Sequence, residues 1–113
     1  MPKYLFIMRD ATENRAKPSP EEMQALQAAW YAWMQKYSSA IVGGDGLKPS
    51  GRVVKAGVVS DGPYVEAKEV IASFSMIQAD NMAAAVAIAK DCPGQDTGKY
   101  GHTIEIRELG GYA

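Results

Sequence analysis

His102 is the single histidine of the chain. It is therefore the one side chain whose ordinary pKa suits proton transfer near neutrality. Asp96, Lys99 and Tyr100 stand close to it in sequence, and a His–Asp or His–Tyr pair would form an acid–base couple. A plainer role is a half-exposed histidine at the start of a strand. Alternation puts His102 on the side of Ile104 and Ile106, the side expected to meet helices.

Asp61-Gly62-Pro63-Tyr64 offers a second candidate. At a cleft, the Asp61 carboxylate would act as a base or a polar contact for a ligand. The same residue types also build a tight turn, with Asp accepting local hydrogen bonds, Gly taking positive φ and Pro stiffening the exit. Lys68, with the ring of Tyr64 nearby, would sit over a substrate carboxylate. In the plainer reading, Glu66, Lys68 and Glu69 form a solvated loop with ion pairs worth about 0–1 kcal/mol each. Arg9 would hold an anion through its bidentate fork, and Arg107 offers the same chemistry. Arg9, Ser73, Ser75, Glu105 and Arg107 are the polar strand residues that would line an uncovered sheet face. Glu105 and Arg107 would equally pair across strands or across a dimer. A one-residue slip in register reverses all of these placements.

Other chemistry is excluded. Gly43-Gly44-Asp45-Gly46 lacks the Lys-Ser/Thr ending and helix start of a phosphate loop. There is no nucleophile elbow, dinucleotide fingerprint or zinc-type histidine pair. One thiol, Cys92, makes neither an internal disulfide nor a cysteine zinc site. No metal and no cofactor is expected, and the lone thiol suits a reducing compartment, the cytoplasm. Twelve basic and thirteen acidic residues give a net charge of −1, which is no footprint for nucleic acid. The opening apolar run is too short for a signal peptide, and no stretch approaches a membrane span.

These residues must be positioned by a thin scaffold. At 113 residues and 47% hydrophobic, the chain is expected to form one domain, residues 1–113. Tyr4 to Met8 reads as a buried strand, and Arg9 to Lys17 as a polar loop. Ser19-Pro20-Glu21-Glu22 is a capping box with Pro at the first helical position. Met23, Leu26, Trp30, Trp33, Met34 and Tyr37 follow at helical spacing, so a helix to about Ser38 is expected, its aromatic stripe packed in the core. Ala40 to Val42 reads as a short strand breaking into a glycine turn. Val53 to Val59 reads as another strand, with a tight turn at Asp61-Gly62. Val70 to Ile77 alternates as a strand. Asp80 or Asn81 then caps a helix with an apolar stripe of Met82, Ala85, Val86, Ala89 and Cys92, ended by Pro93-Gly94. His102 to Glu108 is the closing strand.

This order gives an α+β fold, the ferredoxin-like βαββαβ plan with an extra hairpin. Two helices cover one sheet face. The bare opposite face calls for a second copy, a homodimer.

Asp61-Gly62-Pro63-Tyr64-Val65-Glu66-Ala67-Lys68-Glu69 closely resembles the signature of the DGPF family within the YCII-related superfamily, with Tyr64 in place of its phenylalanine. The segments Lys3–Met8, Pro18–Met23, Gly43–Leu47 and Ile104–Arg107 resemble that family's opening strand, helix start, Gly-Gly-x-x-Leu segment and closing strand. The resemblance implies a dimeric α/β barrel, in which two ferredoxin-like sheets face each other around a cleft. The superfamily includes a dehydrochlorinase that relies on a His–Asp pair, its histidine near the start of the first helix. Here that region reads Pro20-Glu21-Glu22-Met23-Gln24, so the pair does not carry over. The expected function is binding of a small anionic or aromatic metabolite at the sheet–sheet cleft of a homodimer. The alternative is a cofactor-free lyase or isomerase, with Asp61 or His102 moving the proton and Arg9 or Arg107 holding charge.

Overall fold

A computed structural model describes residues 1–11, 18–62, 69–95 and 101–111. The described chain is mixed α and β, mostly strands with two helices. β1 (Lys3–Ala11) carries large apolar residues on both of its sides. Tyr4, Phe6 and Met8 are fully buried. Leu5, Ile7 and Arg9 point to the opposite face and stay half-buried. β1 runs three residues past the expected loop boundary at Arg9, because both of its edges are paired.

α1 (Pro20–Lys36) starts as its sequence dictates. The Glu22 backbone N–H donates to Ser19 Oγ at 3.1 Å, and the Ser19 N–H donates to Glu22 Oε1 at 3.1 Å. The expected core stripe is only partly realised. Trp33 is buried and Trp30 and Tyr37 are half-buried, whereas Met23 and Met34 are exposed.

β2 (Ile41–Gly46) follows, then β3 (Gly51–Lys55) and β4 (Val58–Gly62), β5 (Glu69–Gln78), α2 (Met82–Lys90) and β6 (His102–Glu108). Three sequence expectations are corrected here. The glycines from Gly43 to Gly46 belong to β2, paired with β5, and are not a turn. The stretch from Val53 to Val59 is two strands. It turns at Ala56 and Gly57, whose φ values of 48° and 79° are the left-handed pair that a two-residue hairpin requires. Asp61 and Gly62 therefore sit in β4, opposite Arg52 and Gly51.

Four strands form one antiparallel sheet in the order β2-β5-β1-β6, and among the described residues β3 and β4 pair only with each other. Register fixes what each face carries. Tyr4, Phe6 and Met8 align with Ile77, Ser75 and Ser73 of β5, and Phe6 and Met8 with Ile106 and Ile104 of β6. This face packs against Trp33 of α1 and Ala85 and Ala89 of α2. The alanines bring α2 close, and Asn81 caps it by accepting the Ala84 N–H at 2.9 Å. The helices meet where Trp33 Nε1 donates to the Ile88 carbonyl at 3.1 Å, which satisfies a buried indole N–H. Lys36 and the Tyr37 hydroxyl both donate to Asp91 Oδ2, at 2.7 and 2.8 Å, and hold its carboxyl below its ordinary pKa.

Among the β2 glycines, Gly44 has the least room for a side chain. Its φ is +152°, and a β-carbon there would lie 2.6 Å from the Phe74 carbonyl oxygen. Gly46 has open space at the same point. Gly44→Ala is expected to destabilise the fold by about 1–3 kcal/mol, and Gly46→Ala by no more than about 0.5 kcal/mol. Urea denaturation midpoints of the two variants check this contrast.

Candidate functional site

A cleft of about 640 Å³ opens on the helix-covered face, between α1 and the edge formed by β2 and β5. Its origin is a deficit of side-chain volume. Where β1 places Tyr4, Phe6 and Met8 under the helices, β5 places Ser75 and Ser73, and β2 places Gly44 and Gly46. The helix above cannot sink into that space, since Trp33 already packs on the β1 core and bonds to α2. Trp30, Trp33 and Met34 therefore form the roof, Met8 and the two serines the floor, and Ile41 and Val42 one end. The volume lies within the range of small-molecule sites, about 300–1,000 Å³.

Trp30 and Trp33 meet edge to face, with centroids 5.6 Å apart and planes at 85°. On another side Trp30 packs against His102, with centroids 5.5 Å apart. His102 is on the side of Ile104 and Ile106, as alternation requires. Its backbone N–H donates to the Gly94 carbonyl at 2.8 Å. Gly94 lies so close that a β-carbon there would approach His102 Cε1 to 3.0 Å. Nε2 of His102 is buried with no hydrogen-bond partner among the described residues. Burial pushes the imidazole pKa down, opposed by the carboxylate of its cross-strand neighbour Asp10. His102 thus supports Trp30 from behind and does not line the cleft.

The other sequence candidates do not converge with it. Asp61 is on the β3–β4 hairpin, its side chain 92% exposed and 3.6 Å from Arg52 Nη1. Arg9 is on the opposite sheet face, where its Nε and Nη2 donate to Glu105 Oε1 at 3.3 and 3.2 Å. Arg107 Nη1 donates to the other oxygen of the same carboxylate at 3.3 Å. The two arginines therefore share one glutamate. Tyr64 and Lys68 lie outside the described residues, as do Asp96, Lys99 and Tyr100. Ser73 and Ser75 were expected on the uncovered face, but their pairing with Met8 and Phe6 puts them on the helix side. A one-residue choice of face accounts for the difference.

Cys92 is buried, and desolvation pushes its thiol pKa up to about 12, so it is an inert core residue. Among the described residues no group of three or more His, Cys, Asp or Glu stands ready to hold a metal ion. Among them, too, no helix is long and apolar enough to cross a membrane.

Over residues 3–109 the chain matches the YCII-related domain, and it belongs to that family. No curated protein matches it.

The buried imidazole makes stability depend on pH in a defined direction. Its folded pKa lies below the ordinary 6.5, so the unfolded chain takes up the proton first as pH falls. Its contribution is complete above about pH 6.5 and declines below it. His102→Gln is expected to flatten this part of the profile. The Asp91 contribution fades only in the lower window beneath its ordinary value of 3.8. Denaturant midpoints between pH 7.5 and 4.5 check it (roughly the window set by the imidazole).

Proposed function

We propose that this YCII-related chain is a small-molecule-binding protein of the DGPF type that works as a homodimer, with its ligand in the cleft between α1 and the β2–β5 edge. The cleft carries the reading. It combines a roof of two indoles, a floor with two hydroxyls and a glycine-bare strand in a concave space of ligand size. The sequence-based expectation had put the ligand at a sheet–sheet junction. On the opposite face the arginines are already engaged by Glu105.

That opposite face is assigned to the second copy. Leu5 and Ile7 pair with Met76 and Phe74 to form its half-buried apolar centre, and no described element packs over it. The order β2-β5-β1-β6 suits a ferredoxin-like βαββαβ plan with β3–β4 inserted, and two such sheets face to face make a dimeric α/β barrel. The inserted hairpin adds support. An isolated two-stranded hairpin is marginal in water, yet Val54, Val58 and Val59 are 68%, 69% and 62% exposed. The radius of gyration, 15.6 Å, exceeds the roughly 13 Å of a compact chain this long, as a projecting arm requires. The lone buried thiol suits the cytoplasm. A lyase or isomerase reading through Asp61 or His102 has weaker support, since neither side chain lines the cleft and the two are on separate elements.

Sedimentation at micromolar concentration is expected to give a species of two chains, and Ile7→Glu a folded monomer. A monomeric parent chain would contradict the dimer. For the cleft, a diverse small-molecule library is expected to contain compounds that raise the melting temperature. Gly46→Phe, which fills open space on the cleft side, should abolish the shift. A library with no hit sensitive to Gly46→Phe would overturn the binding reading.

A further inference from the structure

We infer that the cleft is selective for an uncharged, planar ligand, such as an aromatic amide, and rejects carboxylates, phosphates and organic cations. This inference rests on the cleft reading above and adds the chemical class of the ligand.

The first observation is the charge of the lining. Among the described residues no Lys, Arg or His lines the cleft, and Asp45 is the one ionisable residue that does. Register sets Asp45 opposite Phe74, on the side away from the serines, and its Oδ1 already accepts the Gly46 N–H at 2.8 Å. An anion entering beneath the indoles would lose water and gain no counter-charge from the described residues, a cost that apolar contact does not offset. A cation would find only the indole faces. Contact with an indole face returns less than the cost of taking an amidinium or ammonium group out of water.

The second observation concerns hydrogen bonds. Ser73 and Ser75 are half-buried, and neither hydroxyl has a hydrogen-bond partner among the described residues. Ser75 Oγ lies beside Gly44, within 3.2 Å of where a β-carbon would stand. Two residues apart on one strand face, the hydroxyls are spaced by about 7 Å. Each gives one donor and two acceptor positions. Together they suit a flat molecule carrying a carbonyl or amide group, its ring against the indoles.

Benzamide, benzoate and benzamidinium share a shape and differ in charge, so they separate these effects. Titrations followed by tryptophan fluorescence are expected to show benzamide binding at least about tenfold tighter than either ion. Gly46→Phe should abolish that binding. Ser73→Ala/Ser75→Ala should weaken it several-fold without lowering the melting temperature. If benzoate or benzamidinium binds as tightly as benzamide, and Gly46→Phe still blocks it, the charge inference fails while the cleft reading stands. If none of the three binds, the inference also fails, and the library screen decides separately whether the cleft reading falls with it.

Discussion

The register of β1 between β5 and β6 is the constraint on which the rest of this structure depends. Because side chains alternate along a strand, one choice of pairing assigns the residues of three strands to a face up to the irregularity between Met8 and Arg9. Here it sends Tyr4, Phe6 and Met8 beneath the helices and Leu5, Ile7 and Arg9 to the other side. The same choice puts Ser73 and Ser75 under α1 and joins Arg9 to Glu105 across the bare face. A slip of one position would bury an arginine under Trp33 and leave Phe6 in water.

With the faces set, the cleft follows from side-chain volume. The β1 residues fill the space below the helices, and the alanines of α2 close the gap on that side. Toward β2 the filling stops, because Gly44, Gly46, Ser73 and Ser75 supply almost none. A packed interior has no voids of this size unless something holds them open. The bond from Trp33 to Ile88 and the pairing of Lys36 and Tyr37 with Asp91 hold α1 to α2, so the helix does not settle onto β2.

The elements of the fold were largely legible in the sequence. The capping box at Ser19, the alternation of β6 and the Asn81 cap are local signals with local causes, and each forms as read. The hairpin was misread, because the Asp61-Gly62 turn preference is only local and the Ala56-Gly57 turn is fixed by cross-strand pairing. The site was less legible. Trp30, Trp33 and Met34 read as core, and only Trp33 became core, since the volume opposite the others is missing. The signal was present in two pieces, a glycine-rich strand and a Ser-x-Ser pair in another strand. Neither means a cavity until pairing brings them side by side. His102 attracted attention by its chemistry, yet its place is behind Trp30, where burial keeps it neutral.

The proposed use of one sheet face for a ligand and the other for a second copy can be read by NMR of methyl and indole groups. With the cleft saturated by a small molecule, the account predicts shifts at the Trp30 and Trp33 indoles and the Met8 and Met34 methyls. The methyls of Leu5 and Ile7 should stay where they are. Shifts centred on Leu5 and Ile7, with the indoles unmoved, would put the ligand on the bare face and contradict the account.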